Sequence, residues 1–112
     1  MKKIEAIIRP AKVGAVCEAL DTLGHPGIMV TEIEGHGHQK GLEQQFRGKT
    51  YKVEFMTKAR LQVVVNDPDV DKTIEAIRSA ALTGQVGDGK IFVYPVEDAV
   101  RIRTGERGAV AV

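Results

Sequence analysis

Tryptophan is missing from this 112-residue chain, and aromatic residues make up only 4% of it. That is too few for a platform on which successive bases stack. An excess of one charge is missing as well. Sixteen Lys and Arg stand against fifteen Asp and Glu, a formal net charge of +1. Nucleic acid and anionic membranes attract a basic excess, so neither is expected as a partner. The single cysteine, Cys17, excludes an intrachain disulfide and suits a reducing compartment. Its neighbours Val13, Val16 and Leu20 mark it as a small core hydrophobe, not a nucleophile. No apolar run is long enough for a signal peptide or a membrane span, and the opening Met1-Lys2-Lys3-Ile4-Glu5 alternates charged and apolar residues. A cytoplasmic protein without membrane insertion is expected. At this length the default is one domain, residues 1–112, with one core and no staples.

What is present is a clear alternation of periods. Ile4, Ala6 and Ile8 share one side of a strand from Lys3 to Arg9, closed by Pro10. Val13, Val16, Cys17, Leu20 and Leu23 recur at helical spacing, with Gly24 as the stop and Pro26 beyond it. Ile28 to Gly35 and Tyr51 to Val65 read as the second and third strands. Pro68 and Asp69 open a second helix carrying Val70, Ile74, Ile77, Ala80 and Ala81, with Asp67 expected as its N-cap. Ile91 to Val96 is the fourth strand. The order βαββαβ predicts an α+β, ferredoxin-like fold with an antiparallel sheet. Between the second and third strands, residues 37–50 hold Gly37, Gly41, Gly48, Gln44 and Gln45, with Leu42 and Phe46 as the only sizeable apolar residues. So long a segment inside a small domain predicts a functional or mobile loop.

Gly84-Gln85-Val86-Gly87-Asp88-Gly89-Lys90 matches G-x-x-x-x-G-K, but Ile91 stands where a nucleotide-hydrolysing loop needs a hydroxyl for Mg²⁺. The segment also leads from a helix into a strand, the reverse of that loop. Its glycines still let backbone N–H groups turn toward an anion, with Lys90 beside them. The expectation is a phosphate loop over residues 83–90 that is not catalytic; a glycine-rich turn with no ligand fits the same residues. Near the C-terminus, Arg101, Arg103 and Arg107 flank Thr104-Gly105-Glu106 and could clamp phosphate or form a solvated basic edge.

Taken together, these motifs resemble the PII nitrogen-regulatory signal-transduction family, over essentially the whole chain. The resemblance is carried by residues 2–10, by Gly35-His36-Gly37-His38-Gln39-Lys40-Gly41, by Arg47-Gly48 and Tyr51, by residues 83–92 and by Arg101-Ile102-Arg103-Thr104-Gly105-Glu106. It implies a homotrimer with ATP or ADP in the clefts between subunits. It also implies a T-loop, here about residues 37–55, that docks on a target protein such as an ammonium channel, an enzyme or a regulator. Gly87, Asp88, Gly89 and Lys90 would hold phosphates, with Arg101 and Arg103 of the C-terminal loop, residues 101–106, reaching across the cleft. Ile7, Gly35 and Val64 would line adenine and ribose, with Gly27, Ile28 and Met29 from the neighbour and Gln62 as acceptor for the adenine amino group. His36, Gly37, His38 and Lys40 would border the nucleotide. Gln39 would ligate Mg²⁺ with ATP phosphate oxygens, and Gln39, Lys40, Gly41 and Lys58 would hold 2-oxoglutarate. A different small-molecule effector is the alternative within this reading.

The chain departs from the family at His36, His38, Met29 and Gln62, where members commonly have Phe, Arg, Thr and Glu. Tyr51 stands at the family's modification position, but its neighbours Arg47 and Lys49 are basic; an unmodified strand tyrosine is the competing assignment. His36 and His38 would share a side of an extended segment, yet no third metal ligand is evident. A small nucleotide hydrolase would need a positioned base, and none stands out, so a non-enzymatic sensor is expected. An RNA-binding ferredoxin-like module would need stacking aromatics that are not there.

Overall fold

The computed structural model describes the backbone of all residues except Pro26, Arg47 and Gly48; the side chains of residues 35–56 also lie outside the described set. Four strands and two helices alternate as β1 (Lys2–Ile8), α1 (Val13–Thr22), β2 (Met29–Phe46), β3 (Lys49–Val65), α2 (Val70–Ala81) and β4 (Lys90–Pro95). Short 3-10 turns precede both helices and a third lies at Gly108–Ala111. The sheet order is β2-β3-β1-β4, with every neighbouring pair antiparallel. This is the expected ferredoxin-like arrangement.

The period-2 pattern of β1 decides which face is covered. Ile4, Ala6 and Ile8 are buried, and their β3 partners Val63, Leu61 and Ala59 are buried with them. Val16 and Leu20 of α1 and Ile77 and Ala81 of α2 close this core from one side. Fully burying a side chain such as Leu20 or Ile77 stabilises by about 1.5–3 kcal/mol. Cys17 packs half-buried against this core as a free thiol, as its neighbours suggested. The opposite face carries Lys3, Glu5, Ile7, Lys58, Arg60, Gln62 and Val64, and among the described residues neither α1 nor α2 covers it. Met29, Phe92 and Tyr94 on that face are 56%, 44% and 41% exposed.

Local chemistry sets the helix ends. Gly24 has φ +82° beyond α1 and donates to Asp21 O at 2.9 Å, while His25 donates to Leu20 O at 3.1 Å. This pair of bonds is the Schellman stop anticipated for Gly24. Asp67 is not the cap of α2. It begins the 3-10 turn, and its carboxylate accepts from the N-terminal ammonium at 2.7 Å.

The largest difference from the sequence reading is the segment between the second and third strands. The expected loop is instead β-paired: Leu42 to Phe46 pair with Val53 to Lys49 as the far end of one antiparallel ribbon. Backbone N–H and C=O groups make a ladder whatever the side chains, so glycines and polar residues do not forbid it. The register breaks once. Gly37 pairs with Glu54 and Leu42 with Val53, so residues 38–41 oppose no residue of β3.

Candidate functional site

The 83–89 turn connects α2 to β4 at the Ile8 end of the sheet. Gly84, Gly87 and Gly89 have φ of +85°, +101° and +103°, a region open to glycine. At Gly89 the constraint is doubled, because a Cβ there would lie 1.7 Å from Ile7 O. Asp88 turns its carboxylate inward. It accepts from the amides of Thr83 and Gly84, each at 2.9 Å, from the Thr83 hydroxyl, and from Arg9 Nε at 3.3 Å. The Thr83 hydroxyl and amide, then the Gly84 amide and Arg9, hold its pKa well below the usual carboxylate range. Asp88 is thus the pin that shapes the loop, and its main chain is what remains for an anion. Among the described residues, no acceptor takes the N–H groups of Gly87 and Asp88.

Two cations close on this loop from neighbouring strands. Lys58 Nζ donates to Gly87 O at 2.7 Å, and Arg9 Nη2 donates to Val86 O at 2.8 Å. Lys90, exposed at the start of β4, pairs in register with Ile7. The structure therefore brings together Ile7, Lys58, Gly87, Asp88, Gly89 and Lys90. It adds Arg9, which the sequence reading did not single out. Its position at the end of β1, just before Pro10, was the available signal, since a chain that leaves a sheet there must pass the loop facing that strand end.

A second group of expected residues gathers elsewhere. Gly27, Met29, Val64 and Arg101 line one cleft of about 770 Å³ beside the far end of β3, together with the C-terminal Ala111 and Val112. Ile28 packs against the core, which leaves its main chain for a ligand. Arg101 is engaged within its own tail, donating from Nη1 to Glu106 Oε1 at 2.6 Å and from Nη2 to Val110 O at 2.9 Å. The Thr104 hydroxyl and Arg101 together lower the Glu106 pKa. Arg103 is exposed. Gln62, opposite Met29, donates from Nε2 to Glu5 at 3.0 Å.

The two groups sit at opposite ends of the sheet. Lys90 pairs with Ile7, whereas Pro95 pairs with Lys2 and Val64 with Lys3. Five or six residues of strand at about 3.3 Å each separate them by about 15–20 Å. One chain does not bring the 83–89 turn and Arg101 to one small anion. Gly35, His36 and Gly37 lie on β2 just before the register break, and His38, Gln39, Lys40 and Gly41 are the four residues within it. Tyr51 pairs with Gln44. The side chains of these residues, and with them the metal and modification assignments, lie outside the described set. Bulges of this kind occur next to ligand sites, where they free backbone groups from the ladder.

A family model described as nitrogen regulatory protein P-II matches residues 1–106. Proteins named nitrogen regulatory protein P-II from Rhodospirillum rubrum and Azospirillum brasilense are 54% and 55% identical over 112 residues, covering 100% of both chains in each case. Among solved structures, a crystal structure of Arabidopsis thaliana PII bound to citrate superposes with a TM-score of 0.81 at 39% identity. That match covers 99% of this chain and 91% of the other.

Proposed function

We propose a function on one premise: the chain belongs to the nitrogen regulatory protein P-II family. The protein is a signal-transduction regulator of nitrogen metabolism that reports the ATP/ADP state without catalysing a reaction. The observation that carries this reading is the separation, by the length of the sheet, of the Gly87–Lys90 loop from the cleft that holds Arg101. A nucleotide touched by the Gly87–Lys90 loop and by Arg101 and Arg103 must lie between two chains. The helix-free sheet face supports assembly, since Met29, Phe92, Tyr94 and Val64 would be covered by other copies. A homotrimer with three shared clefts follows, in a soluble setting that we take to be the cytoplasm; among the described residues no helix is long and apolar enough to cross a membrane.

Mg²⁺ fits this chemistry as a companion of ATP. It prefers oxygen ligands and keeps those of phosphate, so one amide oxygen from Gln39 would complete its attachment to the protein. When bound it would neutralise phosphate charge. Lys58, already at the loop through Gly87 O, is placed to meet a carboxylate beside those phosphates. A 2-oxo dicarboxylate such as 2-oxoglutarate is the effector we favour. The citrate in the Arabidopsis relative keeps a tricarboxylate as the second candidate. The β2–β3 ribbon, with its break at residues 38–41, is the arm that would carry the ligand state to a target such as an ammonium channel, an enzyme or a regulator.

Calorimetric titration with ATP, ADP, AMP, 2-oxoglutarate and citrate, with and without Mg²⁺, tests the reading. ATP and ADP should bind, AMP should bind far more weakly, and 2-oxoglutarate should need Mg-ATP. Phosphate release on the order of ten per second, an ordinary enzyme's turnover, would move the protein to the enzyme class.

A further inference from the structure

On the helix-free face, Met29, Gln62, Glu5 and Phe92 form one row across all four strands. Within it, Gln62 Nε2 donates to Glu5 Oε2 at 3.0 Å. A glutamine amide has two heads that differ only in hydrogen-bond sense. An ionised carboxylate accepts and never donates, so it selects the orientation with the nitrogen toward itself. The Gln62 oxygen is then turned away from Glu5. On that side, across β2, stands Met29, 56% exposed, which together with Val64 lines the cleft beside the far end of β3. A fixed acceptor beside an apolar wall favours a purine edge that offers a donor. Adenine has an amino group at that edge, where guanine has a carbonyl oxygen that would meet oxygen with oxygen.

We propose that Glu5 is a positioning residue that holds the Gln62 amide in the orientation accepting from an adenine amino group, and so sets the preference for adenine over guanine nucleotides. The inference rests on the adenine-nucleotide reading of this cleft. It concerns the row itself: a carboxylate at position 62 would present an acceptor unaided, whereas an amide there needs a neighbour to fix its sense.

The test is titration of ADP and GDP into the full chain and into Glu5→Gln, Glu5→Ala and the double variant Glu5→Gln/Gln62→Glu, which exchanges the two side chains. Wild type should prefer ADP. Glu5→Gln introduces a side chain that can donate, lets the Gln62 amide turn over, and should narrow the ADP-to-GDP affinity ratio by about tenfold, the worth of one hydrogen bond. Glu5→Ala should narrow it in the same direction. The double variant should recover the preference, because the side chain at position 62 then carries only acceptors. If both single variants weaken ADP and GDP by the same factor, Glu5 merely supports the sheet and the proposal is overturned. If wild type binds neither nucleotide, the underlying reading of the cleft fails, and the proposal fails with it.

Discussion

Gly89 is the most constrained glycine of the 83–89 turn. Its φ of +103° disfavours a side chain, and Ile7 O occupies the space a Cβ would need. Gly84 has a similar φ, +85°, but open space beyond it. The two glycines therefore separate strain from collision. Gly89→Ala should destabilise by about 1–3 kcal/mol and abolish measurable ADP binding, whereas Gly84→Ala should cost about 1 kcal/mol and keep most of it. Urea unfolding with ADP titration checks both, and equal effects would mean the contact with Ile7 does not matter. Asp88 adds a pH signature. Its folded pKa is depressed, chiefly by the Thr83 hydroxyl, so its stabilising contribution is present above the ordinary aspartate pKa of about 3.9 and is lost as the pH falls through the folded value. The stability gap between wild type and Asp88→Asn should be constant from about pH 7 to pH 5 and close in stronger acid. A gap that widened in acid would mean that the carboxylate does not pin the loop. Neither the collision at Gly89 nor the inward turn of Asp88 was legible in the sequence. The collision depends on β1 passing beside the loop, a contact between residues about 80 positions apart, whereas the carboxylate is held chiefly by Thr83 and Gly84 next to it, and only the Arg9 bond reaches across the fold.

At the scale of elements, the sequence was most informative where one physical rule acts alone. The period-2 burial of β1, the helical stripes of α1 and α2, and Gly24 as the end of α1 are local patterns, and all three appear in the structure. It was least informative where partners at a distance decide. The paired far end of β2 and β3 reads as loop in the sequence because Gly37, Gly41 and the glutamines carry no strand pattern. Antiparallel pairing supplies the order that side chains do not. The sequence pattern makes Asp67 a cap for α2, but the N-terminal ammonium holds its carboxylate instead. The register break suggests how the ribbon divides. Residues 38–41 sit toward the sheet, and residues beyond Leu42 form the outer arm. Deleting Leu42 to Arg47 should leave the oligomer and most ADP affinity intact, since Leu42 to Phe46 pair only with Lys49 to Val53 beyond the register break. Sedimentation and ADP calorimetry on the deleted protein check this. Loss of the oligomer would make the arm part of the assembly rather than an outward-facing element.

For the whole molecule, the decisive feature is that no single chain completes the proposed site. The loop with Lys90 and the tail with Arg101 belong to opposite ends of one sheet, and in the proposed trimer symmetry would bring one chain's loop to another chain's tail. Lys90→Ala and Arg103→Ala should each weaken ADP about ten- to a hundredfold through loss of a charge-assisted phosphate contact. The most direct test is to co-express these two variants and measure ADP sites in the mixed assembly. In a trimer with shared clefts, every mixed assembly contains one cleft that joins an intact loop to an intact tail. Random mixing in equal amounts should then restore roughly a quarter of the wild-type sites at wild-type affinity. If each chain binds ADP alone, mixing restores nothing, and that result would contradict the shared-cleft account.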